Sequence, residues 1–94
     1  MEKQTKRLPP LDNIRTTDTI TVHTHNSVYH FMVIDPLKAY GMLIGGVFGP
    51  RMVDAMIIDL PKLKAGSRLR LLVGPDARRL TTSLIRKVIH LRTD

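Results

Sequence analysis

The chain has 94 residues, which is enough for one small domain and too few for a second independent core. Hydrophobic residues make up 43% and charged residues 24%, a balance that is typical of globular domains and not of disordered chains or membrane proteins. Because the chain holds no cysteine, disulfides and thiolate metal sites are excluded.

Positive charge is concentrated in the last third of the chain. Residues 1–61 hold six lysines and arginines against six acidic residues, whereas residues 62–94 hold nine against two. The whole formal charge of +7 therefore comes from the second segment. Such a field attracts polyanions such as nucleic acid, and it also keeps a small protein in solution. Composition alone leaves both interpretations open.

The beginning of the chain shows no regular pattern. Residues 1–17 are polar and contain Pro9-Pro10, which predicts a flexible arm ahead of a folded domain at residues 18–92. No apolar run of a signal peptide follows the first basic residues. The longest apolar stretch, residues 39–48, is broken by glycines and is shorter than the ~20 residues that a membrane span needs. We therefore expect no membrane span and a cytoplasmic location.

Alternation with a period of two begins at residue 19. Residues 19–25 and 28–34 alternate on either side of Asn26-Ser27, which predicts a β-hairpin with these two residues as its turn. Counting outward from that turn sets His23 opposite His30. The face predicted to be apolar carries Ile20, Val22, Thr24, Tyr29, Phe31 and Val33. The other face carries Thr21, His23, His25, Val28, His30 and Met32.

The middle of the chain predicts a further strand and one ambiguous element. Residues 40–48 fit a strand, and Gly45-Gly46 indicates a bulge or a sharp bend within it. Residues 52–60 are apolar but fit neither period, so that strand and short helix both stay open.

The last third returns to alternation. Residues 67–73 predict a strand, and Gly74-Pro75-Asp76 indicates the turn after it. Residues 80–91 fit either a closing strand or a capped helix, and we favour the strand. Five to seven short strands separated by glycine and proline turns favour an all-β fold, a small antiparallel β-barrel.

Three short segments of this predicted fold stand out together. They are Asn26-Ser27-Val28-Tyr29, Gly45-Gly46-Val47-Phe48 and Thr82-Ser83-Leu84-Ile85. They resemble the Asn-Ser-x-Tyr hairpin, the Gly-Gly-x-Phe strand and the Thr-Ser-x-Val/Ile strand of a family of small bacterial β-barrel proteins of unknown function. The third position of the last pattern is usually proline, and this chain has Leu84 there. The resemblance covers about residues 18–91, implies a compact β-barrel and supplies no site.

Three histidines of the predicted hairpin are candidate metal ligands. The register brings His23 opposite His30, with Cβ atoms about 4.5–5.5 Å apart, and places His25 on the same face. Imidazole suits zinc, copper or nickel. Asp18 is too far along the strand to orient a ring nitrogen. Solvent-facing histidines on the polar side of a hairpin are the alternative interpretation.

No catalytic motif is visible in the sequence. The glycines match neither the Walker nor the dinucleotide-binding spacing, and Ser27 and Ser83 lack the setting of a nucleophile. No paired carboxylates fall on one identifiable face. We therefore expect a protein that is not an enzyme and that needs no cofactor.

The basic last third predicts contact with a polyanion. Arginines project from one face of the strand predicted at residues 67–73, and further basic residues flank it. We expect this surface to contact a nucleic-acid backbone without strong sequence specificity, with an affinity that falls as salt rises. The candidate residues are Lys62, Lys64, Arg68, Arg70, Arg78 and Arg79.

The outer face of the predicted hairpin, residues 19–34, supports an alternative function. Val28, Met32 and Ile34 would lie opposite the core, exposed and beside histidines. A cluster of this kind marks an interface with another protein or with a second copy of the chain. Self-assembly would also compensate for a small core.

Overall fold

Seven β-strands form one antiparallel sheet in the computed structural model, which describes residues 5–9, 11 and 13–93. The strands are β1 (Thr5–Leu8), β2 (Thr19–Thr24), β3 (Val28–Asp35), β4 (Tyr40–Gly45), β5 (Val53–Ile57), β6 (Arg68–Val73) and β7 (Arg78–Thr93). Two 3-10 turns, Gly46–Phe48 and Leu60–Lys62, precede β5 and β6. The predicted all-β antiparallel fold is confirmed. Within the described ranges, no helix has the length and hydrophobicity to cross a membrane.

The strands close into a ring. Their order is β1-β7-β2-β3-β4-β5-β6, and β6 also pairs with β7. The 16-residue β7 closes the ring, because its first part pairs with β6 and its second part with β2. The short β1 pairs with the end of β7, where Thr5 lies opposite Thr93. Closure removes most of the strand edges that an open sheet would expose.

Alternate side chains of the ring point inward and form the core. The six hairpin residues predicted to face inward are all buried: Ile20, Val22, Thr24, Tyr29, Phe31 and Val33. The other strands add Leu43, Ala55, Ile57, Leu69, Leu71 and Ile85. Each large apolar side chain buried here stabilises the fold by roughly 1.5–3 kcal/mol relative to an exposed one.

The turn of the β2–β3 hairpin lies one residue earlier than predicted, at His25-Asn26. The backbone N–H of Thr24 donates to the carbonyl of Ser27 at 2.8 Å. In return, the Ser27 N–H donates to the Thr24 hydroxyl at 3.1 Å. Because this side chain acts as the acceptor, Thr24 and Ser27 become the last pair of the hairpin. The prediction of Asn26-Ser27 as the two turn residues is wrong.

Moving the turn by one residue shifts the hairpin register by two. His23 lies opposite Val28, and His30 lies opposite Thr21. A shift of two residues keeps every side chain on its predicted face, since the period of a strand is also two. The inward and outward faces are therefore confirmed. The predicted opposition of His23 and His30 is wrong.

The region of the two adjacent glycines ends β4. Gly45 has a φ of +102° and Gly46 a φ of +53°, both in the region that favours glycine. A Cβ at Gly46 would also overlap the ring of Tyr29. The predicted strand at 40–48 therefore stops at Gly45 and turns. The ambiguous segment that follows is a strand at Val53–Ile57.

The sequence predicted no element in residues 1–17, yet β1 lies there and pairs with β7. Leu11 is buried in the core as well. Part of the segment predicted as a flexible arm therefore belongs to the sheet. Residues 1–4, 10 and 12 of that segment lie outside the described residues.

Candidate functional site

The six basic residues predicted to bind a polyanion lie along β6, in what we term the basic strip. Two of them, Lys62 and Lys64, precede β6, and Arg68 and Arg70 occupy outward positions on it. At the other end of β6, Arg78 and Arg79 begin β7, opposite Val73 and Leu72. All six are exposed. A strand of this length spans about 17–20 Å, so the residues form a line and not one cluster.

Two arginines of the basic strip are held by neighbouring groups. The guanidinium of Arg70 lies 2.7 Å from the carboxylate of Asp59, and about half of each side chain is exposed. Arg68 donates to the carbonyl of Thr82 at 3.1 Å. The Asp59 carboxylate offsets the charge of Arg70, whereas the charge of Arg68 stays available to a ligand.

A groove of about 660 Å³ lies at the end of the ring where β6 turns into β7. It is bounded by the connection between β4 and β5 and by the β6–β7 hairpin. Phe48, Val53, Val73 and Leu80 form an apolar floor that also packs against the core. This surface is open because no further strand covers that end in the described part of the chain.

Charged groups surround the apolar floor of the groove. Arg51, Arg78 and Arg79 contribute guanidinium groups, and Asp54 contributes a half-buried carboxylate. Across residues 5–9, 11 and 13–93, none of these four side chains has a hydrogen bond or an ion pair. Sequence reasoning missed Arg51 and Asp54, because they are distant in sequence from the two predicted arginines.

A buried charged cluster joins the start of β2 to the end of β7. Asp18 is 1% exposed, and one of its oxygens lies 2.6 Å from Nε2 of His90, which is also 1% exposed. Arg92 donates to both carboxylate oxygens at 2.9 Å. The backbone N–H of Arg15 adds a bond of 3.0 Å. Asp18 and His90 are closed to solvent and only Arg92 keeps some exposure, so we interpret the cluster as structural.

The hydrogen bonds of this cluster decide the protonation of Asp18. Burial alone would raise its pKa. The hydrogen bonds from Arg92, His90 and the Arg15 backbone, together with the positive charge of Arg92, outweigh burial and lower the pKa from 3.8 to about 2. Asp18 is therefore a carboxylate at neutral pH. No sequence pattern revealed this cluster, because Asp18 and His90 are 72 residues apart.

The three histidines proposed as metal ligands are not gathered into one site. His30 lies beside Thr21, whose hydroxyl is 3.2 Å from its Nδ1. His23 lines a small groove of about 310 Å³ with Arg86 and Lys87, and His25 is exposed in the turn. Among the described residues, no three His, Cys, Asp or Glu side chains are close enough to hold a metal ion. The metal hypothesis depended on the opposition of His23 and His30, and the structure does not have that geometry.

The outer face of the hairpin exposes apolar side chains, as predicted. Val28 is 37% exposed, and Met32 and Ile34 are each 42% exposed. The patch continues onto β4, where the half-buried Met42 lies directly opposite Met32. On β5, Met56 is also exposed. We term this surface the methionine face.

Comparison with protein-family models, curated proteins and solved structures finds no match for this chain. The resemblance of three segments to small bacterial β-barrel proteins therefore stays a prediction.

Proposed function

We propose that the protein is a non-enzymatic binding module that contacts a polyanion, in the first place a nucleic-acid backbone, through the basic strip. One observation carries the proposal. Outward positions on β6 and the start of β7 align Arg68, Arg70 and Arg79 on one exposed face. Arg79 is diagonal to Arg70 across the strand pair, a separation of about 7–8 Å between backbones. The long arginine side chains can therefore contact successive phosphates.

The basic strip also sets the expected salt dependence. Arg70 is partly neutralised by Asp59, so about four or five of the six cations are free to replace counterions. Each phosphate neutralised on a single strand contributes about −0.7 to the slope of log affinity against log salt. We therefore expect a slope of about −3 for a single strand. Backbone contacts of this kind distinguish poorly between sequences.

Fluorescence anisotropy with labelled 12-mer DNA at several salt concentrations tests the proposal. The variant with Lys64→Gln and Arg68→Gln removes two charges from the basic strip. The control variant with Arg15→Gln and Lys38→Gln removes two exposed charges elsewhere. We expect the strip variant to lose about tenfold in affinity and to flatten the slope by about 1.4, while the control changes little. Absence of binding at low salt, or equal losses in both variants, would contradict the proposal.

A second candidate function is interaction with a protein or with another copy of the chain through the methionine face. The observation that favours it is the group of exposed apolar side chains on β3, namely Val28, Met32 and Ile34, beside Met42 of β4. Contiguous patches of this type are uncommon on monomers unless they bind something. Sedimentation at high concentration should show association that Met32→Asp abolishes. A native protein that stays monomeric, with the variant identical to it, would exclude self-assembly.

A further inference from the structure

The groove beside the basic strip combines three kinds of chemistry. Its guanidinium groups, from Arg51, Arg78 and Arg79, suit an anion. Its apolar floor includes Phe48, whose side chain is only half-buried and can take a flat partner. Its Asp54 carboxylate can accept hydrogen bonds and has no donor among the described residues. A ligand that satisfies all three is anionic, has a flat apolar face and presents N–H donors.

We propose that this groove holds one unstacked base of a single-stranded nucleic acid. The ring of Phe48 stacks on the base, Asp54 accepts from an N–H on its pairing edge, and the three arginines contact the phosphates on either side. This inference rests on the proposed function and deepens it, because it selects a single strand from among the polyanions. The basic strip begins at the same arginines, Arg78 and Arg79, so the strand leaves the groove directly onto it.

Other anionic ligands fit the groove less well. An aliphatic carboxylate would leave Asp54 without a donor and would place two carboxylates near each other, which is unfavourable. A duplex keeps the pairing edges of its bases engaged and its base faces stacked, so it offers nothing to Phe48 or to Asp54. The volume of about 660 Å³ lies within the range of roughly 300–1,000 Å³ that is usual for small-ligand sites, so one base and its sugar have room.

The amino-acid sequence did not reveal the groove, because the residues that line it come from separate elements. Phe48 lies in the 3-10 turn after β4, Asp54 lies in β5, and the two arginines begin β7. The pairing of β5 with β6 and of β6 with β7 brings them together. Tyr29 and Phe31 are buried in the core, whereas Phe48 is half-buried at the groove.

The test compares probes that differ in bases but not in phosphates. Binding of the native protein is measured with a 12-mer of single-stranded DNA, with a 12-mer of the same backbone that lacks its bases, with inorganic polyphosphate of similar charge, and with thymidine monophosphate. We expect the base-bearing strand to bind about tenfold more tightly than the abasic strand or polyphosphate, because stacking on one aromatic ring accounts for a factor of this size. The mononucleotide should bind much more weakly than the strand, because it lacks the contacts along the basic strip.

Three variants locate the base and its phosphates. Phe48→Leu keeps an apolar side chain and removes the ring, so it should abolish the advantage of the base-bearing strand without changing the affinity for polyphosphate. Tyr40→Leu, which removes a half-buried aromatic ring outside the groove, should change neither affinity. Arg51→Gln should weaken the binding of all strands and of polyphosphate about equally.

A measurement on the native protein tests the inference even if a variant fails to fold. The methyl groups of Met42 and Met52 line the groove, so a base seated there should shift their resonances through its ring current. The abasic strand should not produce that shift. Equal affinity for the two strands with unshifted methionine methyls would overturn the inference and leave the proposed function intact. If the mononucleotide bound as tightly as the strand, the inference that the ligand is a single strand would be wrong. Failure of every probe to bind would overturn the proposed function itself.

Discussion

Replacing Asp18 with asparagine removes the charge at the centre of the buried cluster while keeping the size of the side chain. In the native protein, Arg92 and His90 both donate to this carboxylate. Asparagine offers one acceptor oxygen in place of two and points an amide group at donors. Breaking a buried ion pair on one side is strongly destabilising, and because Arg92 keeps some exposure we expect a loss of about 3 kcal/mol at pH 7.

The pKa of Asp18 gives an independent magnitude. It falls from 3.8 in the unfolded chain to about 2 in the folded protein. Each whole pKa step corresponds to about 1.4 kcal/mol, so ionisation of Asp18 stabilises the fold by about 2 kcal/mol at neutral pH. The folded pKa is the lower one, so this contribution is complete above pH 3.8 and is lost as the pH falls towards 2. Between pH 3.8 and pH 2, the free energy of unfolding of the native protein should therefore fall by more than that of Asp18→Asn.

Urea unfolding at pH 7, 4.5, 3 and 2 measures both the stability that Asp18→Asn loses and the part of it that depends on the ionisation of Asp18. The difference in stability between native protein and Asp18→Asn should start near 3 kcal/mol and shrink by about 2 kcal/mol at the lowest pH. Asp76→Asn, at an exposed carboxylate in the β6–β7 turn, should change stability by less than about 0.5 kcal/mol at any pH. A difference that stays constant from pH 7 to pH 2 would refute the assignment of an ionised, hydrogen-bonded Asp18.

Three further outcomes follow from the geometry. Thr24→Val leaves the Ser27 N–H without its acceptor and should lower the free energy of unfolding by about 1 kcal/mol in urea. Gly46→Ala places a methyl group into the Tyr29 ring at a φ of +53°, so it should lower the free energy of unfolding by about 3 kcal/mol. Gly49→Ala, at a similar φ but in open space, should lower it by about 1 kcal/mol. Thermal melting that ranks the two variants equally would contradict this. Asp54→Asn should remove any preference for guanine over thymine at one position of a bound strand, because guanine presents adjacent N–H donors to a carboxylate. A preference that is unchanged in competition binding would count against a contact between Asp54 and the base.

The period of the hairpin predicted its faces but could not predict its register. Alternation assigns each residue to a side, and every inward residue of β2 and β3 was assigned correctly. Register depends on which residues form the turn, and here the Thr24 hydroxyl replaces a backbone acceptor. Asn26 is the residue of this segment that most favours a turn, and it does lie in the turn, as its second residue instead of its first.

Contacts between distant segments account for what the sequence did not reveal. β1 has the sequence Thr-Lys-Arg-Leu, which has no apolar alternation, and it is a strand because the end of β7 offers it a free edge. The Asp18 cluster and the groove likewise join residues from separate strands. The strand at 80–91 was ambiguous because Leu84, Ile85, Val88 and Ile89 fit a helical period, and pairing with β2 and β6 decides the matter.

The position of β7 has a consequence for biosynthesis. During translation β2 leaves the ribosome long before the strand that must lie beside it, and His90 is made 72 residues after Asp18. The hairpins from β2 to β6 can form as they emerge, but β2 and β6 keep one open edge each until β7 arrives. A chain truncated after residue 77 would keep both of these edges open and should therefore be prone to aggregate.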